Sequence, residues 1–496
     1  MPNTKRPFLW SVFFAFLGCA LIYSATGFSD IGLSSDSISY LGCADQLAAG
    51  RGFTCFDGAP LVQWPPLYPL LLSAFVWLGL PVGGSVVVLN MFSWCALIGL
   101  LTAYLNRLLD REAVLVWCLV CVVFSYPLLS VFVMACTEPL FILLVLGFLY
   151  VADRLVEEVS FRSVLWLALI TSVALLLRYA GLSLLFSGWV VLTLGCRNVP
   201  VVKRVRFWGF YTLISLVPLL LWLFRNHMVS DSFTGSRFLF WRSLSFYIWR
   251  FADIFTGWFL PMQLPWWLRT VLLLAVLVVA ILLLLKEMVR GRFLHLVGRV
   301  AVPGSFVVVY SLLHLLTAWV GASDDASQRL LSPLFVPLVL VAGVVCEFFF
   351  FGIKSNRFLR LAVIVLLLGG WGYSALRTAK YLRQWHAQGV DCYNRGFWDD
   401  SPTLAWLKAN ELDGLLFSSD PFAVYYFAGI PARQSAHRRV PLRAFVAQLS
   451  ADETNYLIWF QYRKGFYLYD LFQLQTRLQL TPLRTFEDGV VYRIEK

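Results

Sequence analysis

The residues best suited to chemistry are a few charged side chains at the ends of long apolar segments. Asp36 opens a stretch of helical alternation in the sequence Asp-Ser-Ile-Ser-Tyr, and Glu138 lies in Cys-Thr-Glu-Pro before another apolar run. A carboxylate held at a membrane surface can act as a general base, and an ionisable residue near membrane depth is a functional candidate by default. The structural alternatives are Asp36 as a helix N-cap and Glu138 as a first-turn residue. Both kinds of role can coexist, because a residue at a helix start has a fixed orientation.

Arginines stand at the same ends of the apolar segments. Arg178, Arg225 and Arg329 each adjoin such a segment, and Arg237 follows in an aromatic-rich stretch. The planar guanidinium fork suits phosphate, although an arginine in this position can also snorkel to lipid headgroups. Collectively these arginines predict an outer pocket that binds a phosphate.

Composition indicates which elements must hold these residues. The chain has 496 residues, of which 59% are hydrophobic and 14% charged, whereas a soluble globular protein carries roughly 25% charged residues. Most of the chain is therefore expected in lipid. The formal net charge is +12, but the surplus lies in short clusters between apolar segments, where the positive-inside rule accounts for it. No nucleic-acid partner is predicted.

The basic clusters also predict which ends of the helices lie in the cytoplasm. The clusters are Arg107/Arg111, Arg154/Arg162, Arg197/Lys203/Arg204/Arg206, Lys286/Arg290/Arg292/Arg299 and Lys354/Arg357/Arg360. With these on the inside, Asp36 and Glu138 lie on the extracytoplasmic face. Asp324 and Asp325 lie there too, near enough in sequence to pair with Arg329.

The chain is predicted to be a polytopic α-helical membrane protein with about 11 transmembrane helices, each needing ~20 apolar residues. The predicted spans are 8–28, 85–105, 113–132, 138–152, 163–178, 180–196, 207–224, 268–285, 300–320, 330–352 and 361–376. The first is too long for a signal-peptide core, so we expect an uncleaved helix with a cytoplasmic N-terminus. Such a multi-pass chain is expected in the plasma (inner) membrane.

Two long loops and a soluble tail complete the predicted organisation. Within the membrane module, 1–376, a first outer loop covers 29–84 and a second large outer loop covers 225–267. The Pro-rich segment 65–80 is short and is expected to lie at the outer interface. The more polar residues 377–496 form a small extracytoplasmic α/β domain. Its predicted helices are Ser401–Asn410 and Pro421–Gly429, and its predicted strands are Leu415–Ser418, Asn455–Phe460 and Val490–Ile494.

Cysteine and histidine give weaker signals. Cys43 and Cys55 both fall in the first outer loop, where a disulfide or two free thiols are equally compatible with the sequence. Cys118 and Cys121 form a Cys-x-x-Cys inside a span and are expected to be buried hydrophobes. His314 is expected to be a hydrogen-bonded structural residue within a span.

Several motifs, in this order and spacing, resemble the GT-C superfamily of membrane glycosyltransferases. The resemblance is to the family-39 type, which includes protein O-mannosyltransferases and lipid A aminoarabinose transferases, and it covers residues 1 to about 376. The matching pieces are Asp36 to Tyr40, the Ala-Ala-Gly-Arg-Gly-Phe turn at 48–53, Pro65-Pro66-Leu67-Tyr68-Pro69, Glu138, Arg225-Asn226 with Gly235-Ser236-Arg237, and Arg329-Leu330-Leu331-Ser332-Pro333.

The resemblance implies transfer of a sugar from a polyprenyl-phosphate donor to an acceptor glycan, lipid or protein on the extracytoplasmic face. It implies that Asp36 is the essential carboxylate. The family often has two adjacent acids there, whereas Ser37 follows here, so no metal is favoured, because a divalent ion wants several oxygen ligands. No other cofactor is expected.

The remaining roles follow from the same reasoning. Glu138 would orient the acceptor or the sugar, and the arginines would bind the donor phosphate. The residues proposed for the donor phosphate are Arg225, Arg329, Arg178 and Arg237, and those proposed to position substrate are Tyr40, Asn226 and Tyr68. A lipid or glycan transporter or flippase is an alternative, although no internal repeat is visible. A lipid-linked glycan polymerase or ligase is the other alternative.

Overall fold

The computed structural model describes residues 5–27, 30–235, 243–275, 278, 293–320, 327–351, 357–390, 393, 395–438, 440–450, 452–462 and 467–495. These residues form a helical membrane module followed by a small mixed domain, as the sequence predicts. The fold class is therefore confirmed.

The membrane module consists of sixteen helices in the described part of the chain. They are α1 (Lys5–Thr26), α2 (Ser35–Ala48), α3 (Leu67–Trp77), α4 (Val82–Leu108), α5 (Glu112–Val123), α6 (Tyr126–Phe132), α7 (Glu138–Glu157), α8 (Phe161–Leu177), α9 (Leu182–Gly195), α10 (Val201–Ser230), α11 (Leu244–Phe259), α12 (Trp266–Ala275), α13 (Phe293–Trp319), α14 (Gln328–Leu331), α15 (Phe335–Phe351) and α16 (Arg357–Gln388). Short 3-10 turns at Tyr179–Gly181, Cys196–Asn198 and Ser332–Leu334 join some of them.

By length and composition, seven helices of the described part are able to cross a membrane, or eight if α5 and α6 form one broken span. The predicted span 113–132 is this broken pair, because the chain bends by 52° between the two helices. Ser125 caps the second helix by accepting a hydrogen bond from the Leu128 N–H. The predicted span 268–285 runs partly outside the described residues. The total of about 11 spans stays a prediction.

Arg107 and Arg299, which belong to two of the predicted cytoplasmic clusters, lie at the same end of the bundle. Arg107 Nε lies 3.0 Å from Asp153 Oδ2, and Arg299 Nη2 lies 3.5 Å from Glu347 Oε1. The Glu347 carboxylate also accepts the backbone N–H groups of residues 110 and 111. These charges are therefore paired within the chain at the end where the helices carry their basic residues.

The tail adds helices α17 (Arg395–Trp398), α18 (Pro402–Ala409), α19 (Pro421–Ala428), α20 (Leu442–Val446) and α21 (Leu471–Gln475), and strands β1 (Leu415–Ser418), β2 (Arg433–Gln434), β3 (Asn455–Phe460), β4 (Gln479–Thr485) and β5 (Gly489–Glu495). The sheet order is β2-β1-β3-β5-β4. Strand β1 is parallel to β2 and β3, whereas β5 is antiparallel to β3 and β4. The three predicted strands are all present.

The tail domain packs on the first outer loop. The Tyr425 ring of α19 stacks on Phe56 with ring centroids 4.4 Å apart, and the Tyr425 hydroxyl donates to Asp45 Oδ2 of α2 at 3.4 Å. Burial raises the pKa of the Asp45 carboxyl, and the hydrogen bond from Tyr425 partly opposes that effect. The mixed domain therefore lies on the same side as helix α2, which carries Asp36.

Candidate active site

Asp36 lies at the N-terminus of helix α2, which is capped by two serine side chains. The Ser37 N–H donates to Ser34 Oγ at 3.3 Å, and the Ser34 N–H donates to Ser37 Oγ at 3.0 Å, which forms a capping box. Asp36 is thus in the first turn of α2 and is not its N-cap, so that structural alternative was wrong. The two serines satisfy the N–H groups of residues 34 and 37 without using the Asp36 carboxylate, which instead pairs with Arg329.

The segment before α2 is paired by its backbone with the segment before α7. The Gly32 N–H donates to Val133 O at 2.8 Å, and the Ala135 N–H donates to Gly32 O at 2.9 Å. The buried Asn90 side chain of α4 donates to the carbonyls of Phe132 and Met134. These bonds fix the starts of α2 and α7, and therefore Asp36 and Glu138, relative to each other.

Glu138 is buried between two arginines. Its side chain is 2% exposed, and its Oε1 lies 2.9 Å from Arg178 Nη1 and 3.4 Å from Arg329 Nε. A buried carboxylate is costly unless it is paired and hydrogen-bonded, and the two guanidinium groups supply that pairing. Thr137 occupies the cap position of α7, but its hydroxyl lies 3.4 Å from Glu138 Oε2 and makes no bond to the helix backbone.

Arg329 connects the two acids. Its Nη2 lies 2.9 Å from Asp36 Oδ2, while its Nε faces Glu138. Ser327 caps α14 by accepting the Leu330 N–H, and the Tyr310 hydroxyl donates to Leu330 O at 2.7 Å. The short helix is therefore held from both sides with Arg329 directed at the cluster.

Arg178 is placed by a close turn after α8. A Cβ at Gly181 would lie 2.7 Å from the backbone of Ala174, so only glycine fits where the chain folds back on that helix. The Arg178 guanidinium also covers the ring of Phe141 at 5.2 Å. The resulting row is Asp36, Arg329, Glu138 and Arg178, with alternating charge and a net charge of zero.

The row is buried at one end and open at the other. The side chains of Asp36 and Arg329 are 27% and 24% exposed, whereas that of Arg178 is 12% exposed. The side chains of Arg329 and Asp36 are therefore accessible to a substrate. Glu138 lies in the buried part of the row, where it pairs with both Arg178 and Arg329. An anion that reaches Arg329 would compete with Asp36 for the same guanidinium.

Tyr40 and Tyr68 form the wall beside this row. Their rings meet edge to face at 5.2 Å, and Tyr40 also contacts Trp64 at 5.4 Å. Burial raises the pKa of Tyr40, and the nearby Asp36 carboxylate raises that pKa further, so the phenol remains a hydrogen-bond donor. The buried Tyr68 hydroxyl has no hydrogen-bond partner among the residues that the structure describes.

Arg225 and Asn226 contact the first outer loop and not the Asp36 row. Arg225 Nη1 donates to Leu61 O at 2.6 Å and Nη2 donates to Phe53 O at 3.2 Å. The guanidinium also lies 4.8 Å above the ring of Trp222. Asn226 is fully buried and donates to the carbonyls of residues 62 and 233. These contacts indicate that both residues hold the loop in place, and a role at the donor phosphate stays a prediction.

Other predicted residues are not part of the row. Arg237, Asp324 and Asp325 lie outside the described residues. His314 packs on Tyr310 with ring centroids 4.4 Å apart, but within the described chain its buried Nε2 has no hydrogen-bond partner. The expected hydrogen bond is therefore missing on that nitrogen.

The thiols of the first outer loop are close together. The sulfur atoms of Cys43 and Cys55 lie 2.7 Å apart. They pack in the same cluster as Leu61 and Phe53, whose carbonyls accept hydrogen bonds from Arg225. A disulfide between them stays a prediction. No group of three or more His, Cys, Asp or Glu side chains with a geometry that could hold a metal ion occurs in the described part of the chain.

Sequence reasoning missed the residues that orient the row. Ser34, Ser37, Gly32 and Asn90 act through caps and long-range backbone bonds. The spacing of Ser34 and Ser37 was a readable signal, because a capping box joins residues three apart. The partners of Gly32 and Asn90 lie far away in sequence and carry no local signal.

Similarity to known proteins appears only at the level of solved structures. No protein-family model and no curated protein sequence matches this chain. ArnT from Cupriavidus metallidurans in the apo state is similar at a TM-score of 0.61 and 13% identity, over 98% of this chain and 97% of that chain. ArnT bound to undecaprenyl phosphate is similar at a TM-score of 0.60 and 12% identity, over 98% of both chains.

An oligosaccharyltransferase from Archaeoglobus fulgidus, solved with Zn and sulfate, is also similar. Its TM-score is 0.56 at 11% identity, over 97% of this chain and 72% of that chain. These solved neighbours are GT-C superfamily members. At such low identity the likeness establishes architecture alone. It extends over nearly the whole chain and so includes the tail domain, which the sequence motifs left out. This chain therefore shares its fold with ArnT and with the archaeal oligosaccharyltransferase.

Proposed function

We propose that the protein is a membrane glycosyltransferase that moves a sugar from a polyprenyl-phosphate donor to an acceptor hydroxyl on the extracytoplasmic face. The observation that carries the proposal is the row of Asp36, Arg329, Glu138 and Arg178, which places one accessible carboxylate against one accessible guanidinium. A solved neighbour of the same fold holds undecaprenyl phosphate, which supports a donor of that class.

Asp36 acts as the general base. Its carboxylate takes the proton of the acceptor hydroxyl while that oxygen attacks the anomeric carbon of the sugar. The bond from the anomeric carbon to the phosphate oxygen breaks, and polyprenyl phosphate leaves with the electron pair. A single displacement of this kind inverts the anomeric configuration. General-base catalysis is typically worth ~10²–10⁴-fold in rate.

Arg329 stabilises the leaving phosphate. Charge develops on the phosphate oxygen as the bond breaks, and a guanidinium already in place lowers the energy of that state. In the free enzyme the same group lies 2.9 Å from Asp36. When the phosphate takes over part of that contact, the Asp36 carboxylate becomes available to the acceptor. Glu138 and Arg178 keep Arg329 in position throughout.

Sugar transfer can be followed without knowing the acceptor, because every turnover releases polyprenyl phosphate. We expect membranes containing the protein to release it from a polyprenyl-phosphate sugar in the presence of an envelope extract. The Asp36→Asn variant should not. Mass spectrometry of the product then distinguishes addition of one sugar from transfer of an oligosaccharide. Movement of intact donor across vesicles without bond cleavage would instead support the transporter alternative.

The extracytoplasmic face can be tested by labelling. Asp57 is exposed in the first outer loop, and Glu158 is exposed at the predicted cytoplasmic end of the bundle. A cysteine at position 57 should react with a membrane-impermeant maleimide from outside intact cells, and a cysteine at position 158 should react only after lysis. The reverse pattern would overturn the proposed orientation.

A further inference from the structure

An apolar groove runs along the outside of the bundle, away from the Asp36 row. It lies along one face of α10, with Trp189 of α9 at its side, and has a volume of about 720 Å³. Its lining on α10 runs from Arg204 through Trp208, Gly209 and Leu213 to Leu220. The lining residues of α10 are neighbouring pairs that repeat every four positions, from 204 and 205 to 216 and 217, and Leu220 continues this repeat. They therefore lie on one stripe of the helix. The groove therefore runs parallel to the helix axis on the surface of the bundle.

Contacts between α9 and α10 hold the floor of the groove together. Trp189 Nε1 donates to Thr212 Oγ1 at 3.0 Å, and the rings of Trp189 and Trp208 stack nearly parallel with centroids 6.4 Å apart. A Cβ at Gly209 would meet nothing within 4 Å, so the centre of the groove is open space. The exposed side chains of Leu213 and Leu220 form the sides.

The groove has a cationic end and an apolar end. From Arg204 to Leu220 the helix rises about 24 Å at 1.5 Å per residue, which is most of the ~30 Å hydrocarbon thickness of a bilayer. Arg204, Lys203, Arg206 and Arg197 surround the end that begins α10. Between residues 179 and 230 the sequence contains no Asp or Glu. An occupant must therefore combine a long apolar chain with an anionic group at one end.

We infer that the half of the groove next to Arg204 binds one acyl chain of an anionic phospholipid, whose phosphate lies beside Arg204 in the cytoplasmic leaflet. A helix from a second copy of this chain fits less well, because it would need an acid at that end. Of the acids there, Asp153 and Glu157 pair with Arg107 and Glu347 pairs with Arg299. Glu158 is exposed at the same end, so a second copy of the chain is one of the outcomes that the test below distinguishes.

The donor lipid of the proposed reaction is also a poorer occupant. Arg204 and Arg225 are 21 residues apart on α10, which is about 30 Å along the axis. The cationic end of the groove is thus at the opposite membrane surface from the first outer loop. The lipid site is independent of the proposed transferase activity, and its failure would leave that activity untouched.

The inference is tested by native mass spectrometry of the protein extracted from mixed phosphatidylglycerol and phosphatidylcholine nanodiscs. We expect the wild-type protein to retain one phosphatidylglycerol after the other lipids are stripped. The Gly209→Leu variant should lose it, because leucine fills the open centre of the groove. The control is Gly298→Leu on α13, where a Cβ also meets nothing within 4 Å, and it should retain the lipid.

Arg204→Gln tests the headgroup. We expect about fivefold weaker retention, the effect of one basic side chain near an anionic lipid surface. Size-exclusion chromatography of each variant shows that it is folded. Equal retention of phosphatidylcholine, a retained mass of polyprenyl phosphate, or unchanged retention by folded Gly209→Leu would each overturn the inference. A change of oligomeric state with no lipid loss would overturn it in favour of a second copy.

Discussion

Replacing Asp36 by asparagine separates its two possible contributions, proton removal and ion pairing. The structure indicates that the variant will fold, because Ser34 and Ser37 close the start of α2 without Asp36 and the side chain is 27% exposed. Without a base, kcat should fall ~10²–10⁴-fold. At about 1.36 kcal/mol per factor of ten, this is about 2.7–5.4 kcal/mol of activation free energy.

The Michaelis constant for the donor should move differently. Asp36→Asn raises the net charge of the row from zero to +1 and replaces the ion pair between Asp36 and Arg329 Nη2 by, at most, a hydrogen bond to a neutral amide oxygen. A donor phosphate then meets a guanidinium with less competition, so its KM should stay unchanged or fall. Lower kcat together with unchanged or lower KM is therefore the expected signature.

Both kcat and the KM for the donor can be measured from the rate at which polyprenyl phosphate is released. The matched control is Asp45→Asn, an acid on the same helix whose carboxylate accepts from Tyr425 and lies outside the row. It should retain activity close to wild type. Near-normal kcat in Asp36→Asn would remove Asp36 as the base. Normal kcat with a much higher KM would show that Asp36 only binds substrate.

Three further predictions concern the support of the site. Glu138→Gln leaves the buried Arg178 guanidinium without its carboxylate partner and removes one of the two partners of Arg329. The free energy of unfolding should therefore fall by about 3–5 kcal/mol, measured as a lower midpoint of thermal or denaturant unfolding; an unchanged midpoint would contradict the burial argument. Cys43 and Cys55 should appear as one linked peptide pair in a non-reduced digest of protein from an oxidising compartment, and alkylation of both thiols would rule the pairing out. Arg225→Lys should speed amide exchange in residues 53–64 with little effect on donor KM, because lysine cannot replace the fork that holds Phe53 and Leu61. A large rise in KM without faster exchange would instead assign Arg225 to the donor phosphate.

The sequence predicted the tail strands that are rich in β-forming residues and missed those that are not. Leu415–Ser418 and Asn455–Phe460 have the predicted bounds, because both are apolar strands that the sheet buries. Strand β4 (Gln479–Thr485) was missed. Its side chains are mostly exposed and it contains Pro482, which argues against a central strand. Its place at the sheet edge is what makes the proline acceptable.

The candidate site was predictable in its residue types but not in its pairings. Asp36, Glu138, Arg178 and Arg329 were all recognisable as charges at span ends, and the structure brings them together. Asp36 and Arg329 are 293 positions apart, so nothing local indicates that they meet. Arg225 looked equivalent in sequence, yet its guanidinium contacts loop carbonyls. The partner of each arginine depends on how the helices pack. No local sequence pattern around an arginine indicates that packing.

The ring stack between Phe56 and Tyr425 has a consequence for how such proteins are recombined. Phe56 belongs to the first outer loop and Tyr425 to the tail domain. A graft that exchanges the tail domain for that of another protein of the same fold therefore removes one of the two rings. The transplanted domain must bring its own matching ring, or the first outer loop loses its aromatic contact with the tail domain. Chimaeras designed to alter acceptor choice should therefore carry the two sides of this ring stack together.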